Sequence, residues 1–219
     1  MNRDAVTVRS CSVPIVAVTP SRHRSSRPSH AGTVSRVSSA KPLPPVTLVL
    51  GGARSGKSGH AEALAEAAAA ERLYLATGTA GDAEMAERIA RHRARRGEGW
   101  TTCEEPLDLA DALAAQSRAD RPVLVDCLTL WLANLLFAER DPVRETRRLI
   151  DALPGLAGPV VFVSNEVGLG IVPDNALARL FRDEAGRLNQ AVAAAADRVV
   201  FVAAGLPLVL KPAPAGPTN

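Results

Sequence analysis

At 219 residues and 47% hydrophobic content, the chain carries enough apolar material to bury one sizeable core, so a single folded domain is the expectation. Aromatic residues make up only 3%, which argues against a surface of stacking rings such as a single-stranded nucleic-acid platform. The net charge of +3 is unevenly placed: residues 1–45 hold six arginines and one lysine against Asp4 alone, a net +6, leaving −3 on the remainder and no basic nucleic-acid face on the body.

Residues 1–45 are rich in Ser, Arg and Pro and lack sustained periodicity, so they read as a disordered extension that cannot offset the entropy of ordering. A dispensable or misassigned extension and an organelle transit peptide both fit this composition. Cys11, Cys103 and Cys127 are odd in number and lack C-x-x-C spacing, so neither a disulfide framework nor a structural zinc site is indicated, and a reducing cytoplasm fits. The apolar runs are short and interrupted, well below the roughly 18 residues of a membrane span.

From residue 46 onward, strand-like and helix-like segments alternate, the pattern of an α/β parallel sheet with crossover helices. Residues 46–50 form an apolar strand ending in two glycines, followed by an Ala-rich helix over 58–70 and a second strand at 73–77. Asp82 is placed to cap a helix running through Arg96, with Glu84 and Glu87 near its start and arginines near its end, the polarity the helix dipole favours. A helix over 107–116 leads into the strand 123–125 and its terminal Asp126; an apolar helix over 130–139 and a helix over 142–153 with proline at its start follow. A strand at 160–163, a helix over 175–196 with a candidate break at Gly186, and a strand at 199–202 complete the body. Residues 212–219 are Pro- and Gly-rich and are expected to fray, which gives a folded domain over 46–211.

The run Gly51, Gly52, Ala53, Arg54, Ser55, Gly56, Lys57, Ser58 satisfies G-x-x-x-x-G-K-[ST] and lies between a strand and a helix, as a phosphate-binding loop must. Glycines let backbone N–H groups approach phosphate oxygens, and the following helix adds its positive end. Lys57 is expected to neutralise the β- and γ-phosphates, with the Ser58 hydroxyl on Mg2+. Asp126, closing the apolar run 123–125, is the candidate second metal-binding group. A regulatory GTPase is disfavoured, because the nearest N-K-x-D candidate, beginning at Asn165, lacks the lysine and the aspartate.

GGARSGKSGHAEALA (51–65), EMAERIARHRARRGEGW (84–100), CEEPLDL (103–109), VDCLTLWLANLLF (125–137) and the segment 163–205 containing NEVGLGIVP closely resemble the bifunctional adenosylcobinamide kinase / adenosylcobinamide-phosphate guanylyltransferase family. The resemblance spans nearly all of the body and none of the tail. It implies a RecA-like P-loop fold, a kinase step from ATP or GTP with Mg2+ onto adenosylcobinamide, and GMP transfer from GTP to the resulting phosphate. No tightly bound organic cofactor and no nucleic-acid partner is implied; a homo-oligomer is, with a trimer the expected form.

The same resemblance assigns His92 as the residue that carries GMP covalently. Spacing alone puts Met85, Ile89 and His92 on one helical stripe and reads His92 as the edge of a buried face. Arg88, Arg91, Arg93, Arg95 and Arg96 surround it, and position 91 is Arg where some relatives carry a second His. Thr77, Gly78, Thr79, Arg95, Arg96 and Glu104 are further candidate nucleotide contacts; Asn165 and Glu166, at the end of the strand 160–163, are candidates for positioning substrate or phosphate. A single-function small-molecule kinase and a nucleotide-dependent interaction ATPase are the alternatives.

Overall fold

The computed structural model describes residues 8–10, through their backbone, together with 42–78 and 96–212. Eight strands form one sheet: β1 (Val8–Ser10), β2 (Val46–Gly51), β3 (Arg72–Ala76), β4 (Trp100–Glu104), β5 (Val123–Asp126), β6 (Val160–Asn165), β7 (Arg198–Ala203) and β8 (Leu206–Lys211). Their order is β1-β4-β3-β5-β6-β2-β7-β8, all parallel except the β7–β8 pair. The strand carrying Asp126 is therefore separated from the phosphate-loop strand by β6, the RecA-like order.

The central strands are apolar almost without interruption because both faces are covered. Leu48, Leu73, Leu75, Val125 and Phe162 point into one core. That core is filled by helices α2 (Leu109–Gln116), α3 (Leu128–Phe137), α4 (Pro142–Ala152) and α5 (Ala176–Ala195). Val49, Leu124, Val161, Val163 and Val200 point the other way, where α1 (Lys57–Ala68) contributes Ala61.

Local chemistry accounts for the helix starts. The Asp141 carboxylate accepts from Val143 N at 2.9 Å, with Pro142 opening α4, and the Asn175 side chain accepts from Ala178 N at 2.8 Å at the start of α5. Helix α5 runs unbroken through Gly186: Ala185, Leu188, Asn189 and Val192 are buried on its inner face, and that packing outweighs a glycine cost of about 1 kcal/mol.

Three strands were not expected. β4 mixes Trp, Thr and Cys with a terminal Glu, and it is carried by parallel pairing to β3. Its Cys103 is held in a disulfide, which the odd cysteine count did not indicate. Val8–Ser10, inside the stretch read as an irregular extension, pairs with the outer edge of β4.

β8 contains Pro207, a residue that argues against a strand interior but is tolerated on a sheet edge. Ala204 and Gly205, with φ of 52° and 80°, make the β7–β8 turn, whose twist requires positive φ at both positions. Other boundaries agree with expectation within a few residues. The helix expected over residues 82–96 lies almost wholly outside the described residues.

Trp131 on α3 is 1% exposed and its indole N–H donates to Leu107 O at 2.8 Å, tying α3 to the loop before α2. Trp131→Ala is expected to cost about 3–5 kcal/mol of unfolding free energy, read from chemical denaturation.

Candidate active site

Parallel register brings the carboxyl ends of the strands level. Gly51 sits beside both Asn165 and Val202, and Ala76 beside both Asp126 and Glu104. Ligands of open parallel sheets bind on this edge.

The phosphate loop leaves the edge at Gly51. A Cβ there would lie 2.5 Å from both Ser55 Oγ and Val202 O, so only glycine fits against the neighbouring strand and the returning loop. Ser55 N donates to Gly52 O at 3.3 Å, and Gly56 adopts φ 95° as the N-cap of α1. No side chain caps that helix start, and its first turn holds no acid, so backbone donors and the positive helix end face the loop. Lys57 is buried with its ammonium donating to Gly52 O at 3.1 Å, and Ser58 follows it, half-buried. Ala53 and Arg54 are exposed at the loop tip. The loop is braced from outside: Gly205 N donates to Ser55 O at 2.9 Å, and Gly205 Cα lies 3.3 Å from where a Gly56 Cβ would sit.

Asp126 stands at the end of β5, half-buried, and its Oδ2 accepts from the Tyr74 hydroxyl at 3.1 Å. Burial first, then the Asp126 charge, push the Tyr74 phenol well above its ordinary value, so it stays protonated and donates. The Arg96 guanidinium lies over the Tyr74 ring, 3.5 Å from its centroid.

Thr77 directly follows β3. It is fully buried, and its hydroxyl accepts from Cys127 N and donates to Cys127 O, both at 2.8 Å, so its side chain is engaged at the β5–α3 junction. Gly78 follows it, where an added Cβ would press on Leu130 at 3.1 Å. Asn134 secures the same turn by donating to Thr77 O at 2.7 Å and Pro106 O at 3.1 Å.

Asn165 donates to Thr129 Oγ1 at 2.7 Å, its carbonyl accepts from Asn189 at 3.2 Å, and the Cys127 thiol lies 3.1 Å from Thr129 Oγ1. Burial, then Asp126, push that thiol up to about 11, so it remains protonated and unreactive. Glu166 N donates to Gly51 O at 3.1 Å, while its carboxylate accepts from Gly168 N at 2.6 Å and shapes the following loop. Glu104 is exposed at the end of β4.

His60 is half-buried; burial, then Arg198, lower its pKa and keep the imidazole neutral. His92, Thr79 and Arg95 lie outside the described residues. Tyr74, Thr129 and Asn134 were not anticipated. That Tyr74 is the sole tyrosine of the chain was the one available signal, and only the β3–β5 register aims it at Asp126.

The family model for cobinamide kinase / cobinamide phosphate guanyltransferase matches residues 47–210. The chain belongs to that family. Two bifunctional adenosylcobalamin biosynthesis proteins are among the relatives of this enzyme. CobP of Pseudomonas aeruginosa is 53% identical over 170 residues, covering 76% of this chain and 98% of the relative. CobU of Salmonella typhimurium is 45% identical over 179 residues, covering 75% and 98%. Similar solved structures include the flagellar accessory protein FlaH of Methanocaldococcus jannaschii, with TM-score 0.46, 11% identity and coverage of 78% and 80%. The RadB recombinase aligns with TM-score 0.45 and 15% identity over 73% and 74% of the two chains.

Two substitutions separate the loop from its support. Lys57→Ala is expected to abolish binding of a fluorescent GTP analogue while leaving the ligand-free melting temperature within a few degrees. Thr77→Val, which strands both Cys127 backbone groups, is expected to lower unfolding free energy by about 1–3 kcal/mol in denaturant titration.

Proposed function

We propose that the enzyme phosphorylates the aminopropanol hydroxyl of adenosylcobinamide with ATP or GTP, then transfers GMP from GTP to that phosphate, with His92 carrying GMP between two displacements. The observation that carries this reading is the meeting of the phosphate loop, Asp126 and Asn165 on one sheet edge in a chain of this family.

In the first reaction the substrate oxygen attacks the γ-phosphorus, the bond to the β-phosphate oxygen breaks, and the hydroxyl proton is lost. Lys57 and the α1 amino end offset the charge that gathers on the leaving diphosphate. Asn165, on the strand between Asp126 and Gly51, is the residue we assign to positioning substrate or phosphate. In the second reaction a His92 ring nitrogen attacks the α-phosphorus of GTP and expels pyrophosphate; the cobinamide phosphate oxygen then attacks the same phosphorus and frees the imidazole.

Ser58 and Asp126 suit Mg2+. Among the described residues no cluster of three or more His, Cys, Asp or Glu forms a protein cage, and one hydroxyl with one carboxylate is the sparse oxygen set that Mg2+ shares with phosphates and water. The bound ion would neutralise charge on the bridging phosphate oxygens.

On the acceptor side, Leu169, Ile171 and Val172 are 81%, 97% and 65% exposed in the loop that leaves the site at Asn165. Glu166 holds the start of this loop at Gly168 N, and Arg179 holds its end by donating to Pro173 O at 3.0 Å and Asp174 O at 2.7 Å. We assign these apolar side chains to the face of the corrin macrocycle, whose arm must reach the phosphate loop. We further assign the catalytic unit to residues 46–211, its compartment to the cytoplasm, and self-association into a homo-oligomer to β8, whose six residues are all exposed on the sheet edge.

His92→Ala is expected to lose acid-labile labelling from α-32P-GTP and GMP transfer while retaining the kinase step. Labelling that survives the substitution would refute the His92 assignment. Ile171→Asp is expected to raise KM for adenosylcobinamide about tenfold or more with GTP affinity unchanged, measured by steady-state kinetics and nucleotide titration.

A further inference from the structure

We propose that Tyr74 is a positioning residue for Asp126 and couples Arg96, stacked on its ring, to that carboxylate at the cation-binding edge of the sheet. The inference rests on the reading of Asp126 as a ligand of the nucleotide-bound cation.

Three features single out Tyr74. Its hydroxyl donates to Asp126 Oδ2 at 3.1 Å, and among the described residues no other group hydrogen-bonds that carboxylate. The ring is almost fully buried, with Trp100 edge-on at 6.2 Å between centroids, so the phenol has one orientation available. The Arg96 guanidinium covers its face at 3.5 Å. A lone carboxylate at a strand end has two torsions free to turn it from a metal. A donor on one oxygen restricts both torsions and leaves the second oxygen free of that bond, as partners behind a metal ligand do elsewhere.

Arg96 closes a run that also contains Arg88, Arg91, Arg93 and Arg95. The Arg96 guanidinium rests on the ring, and the ring's hydroxyl is bonded to Asp126, so the two groups share one aromatic side chain.

The test uses the full chain and Mn2+ as the probe, its free concentration followed by electron paramagnetic resonance with a non-hydrolysable GTP analogue present. Tyr74→Phe keeps the ring and removes only the donor. It is expected to weaken Mn2+ binding about tenfold while metal-free GDP affinity in EDTA, which reports an intact phosphate loop, stays unchanged. Arg96→Gln is expected to weaken Mn2+ binding in the parent chain and to have little further effect in the Tyr74→Phe chain.

Unchanged Mn2+ affinity in Tyr74→Phe overturns the positioning role and leaves Tyr74 a core residue. An Arg96→Gln effect of equal size in both backgrounds overturns the coupling. The underlying reading fails separately: in that case the parent chain shows no nucleotide-dependent Mn2+ binding, or Asp126→Asn leaves it intact.

Discussion

A loop that offers its own backbone to an anion cannot also carry side chains where that backbone turns, and this constraint organises the rest of the molecule. Gly51 meets Ser55 and Val202 too closely for any Cβ, and Gly56 turns with positive φ into a helix that no side chain caps. Such a loop cannot hold its own shape by packing side chains. Its shape comes instead from neighbours: β6 and β7 pair with Gly51 on either side, and the Gly205 amide fixes Ser55 O. The outermost hairpin, although remote from the chemistry, therefore forms part of the phosphate site.

A second layer lies behind the loop and is polar. Thr77, Cys127, Thr129, Asn165 and Asn189 connect the ends of β3, β5 and β6 to α3 and α5 through hydrogen bonds made in a largely buried setting. Buried polar groups without partners are costly, so each bond also restricts the others to one arrangement. Asn165 and Cys127, the residue after Asp126, are thereby tied into one arrangement. The Cys127 thiol serves as a small, protonated packing group here; its buried place beside Asp126 removes the nucleophilic character that a cysteine near an active site would otherwise suggest.

Much of this was legible in the sequence because it depends on local pattern. The phosphate loop declares itself by glycine spacing between an apolar run and a helix, and Asp126 by its place at the end of a short buried strand. Expectations failed where tertiary pairing overrides pattern. β8 carries a proline and β4 a mixed polar run, and both exist because a neighbouring strand offers free hydrogen-bonding groups. Thr77 shows a related limit of pattern: adjacency to a strand end says that a residue is near the sheet edge, but which way its hydroxyl turns depends on the Cys127 backbone, fifty positions away. Tyr74 lacked any sequence signal tying it to Asp126, since their contact comes from β3–β5 register alone.

The apolar surfaces left exposed divide by what their backbones can offer. β8 presents Leu206, Leu208, Val209 and Leu210 along a sheet edge whose outer N–H and C=O groups, among the described residues, have no strand beside them. An edge of this kind is completed best by another strand, which a second polypeptide can supply and a small molecule cannot. Leu169, Ile171 and Val172 sit in a loop whose ends are already clipped by Glu166 and Arg179, so it has side chains to offer and no ladder to extend. Under the proposed function, its continuity with Asn165 makes that surface the place for a bulky acceptor whose hydroxyl arm reaches inward. The two exposed faces thus call for occupants of different chemistry, and under the proposed function the loop is the one left for the substrate.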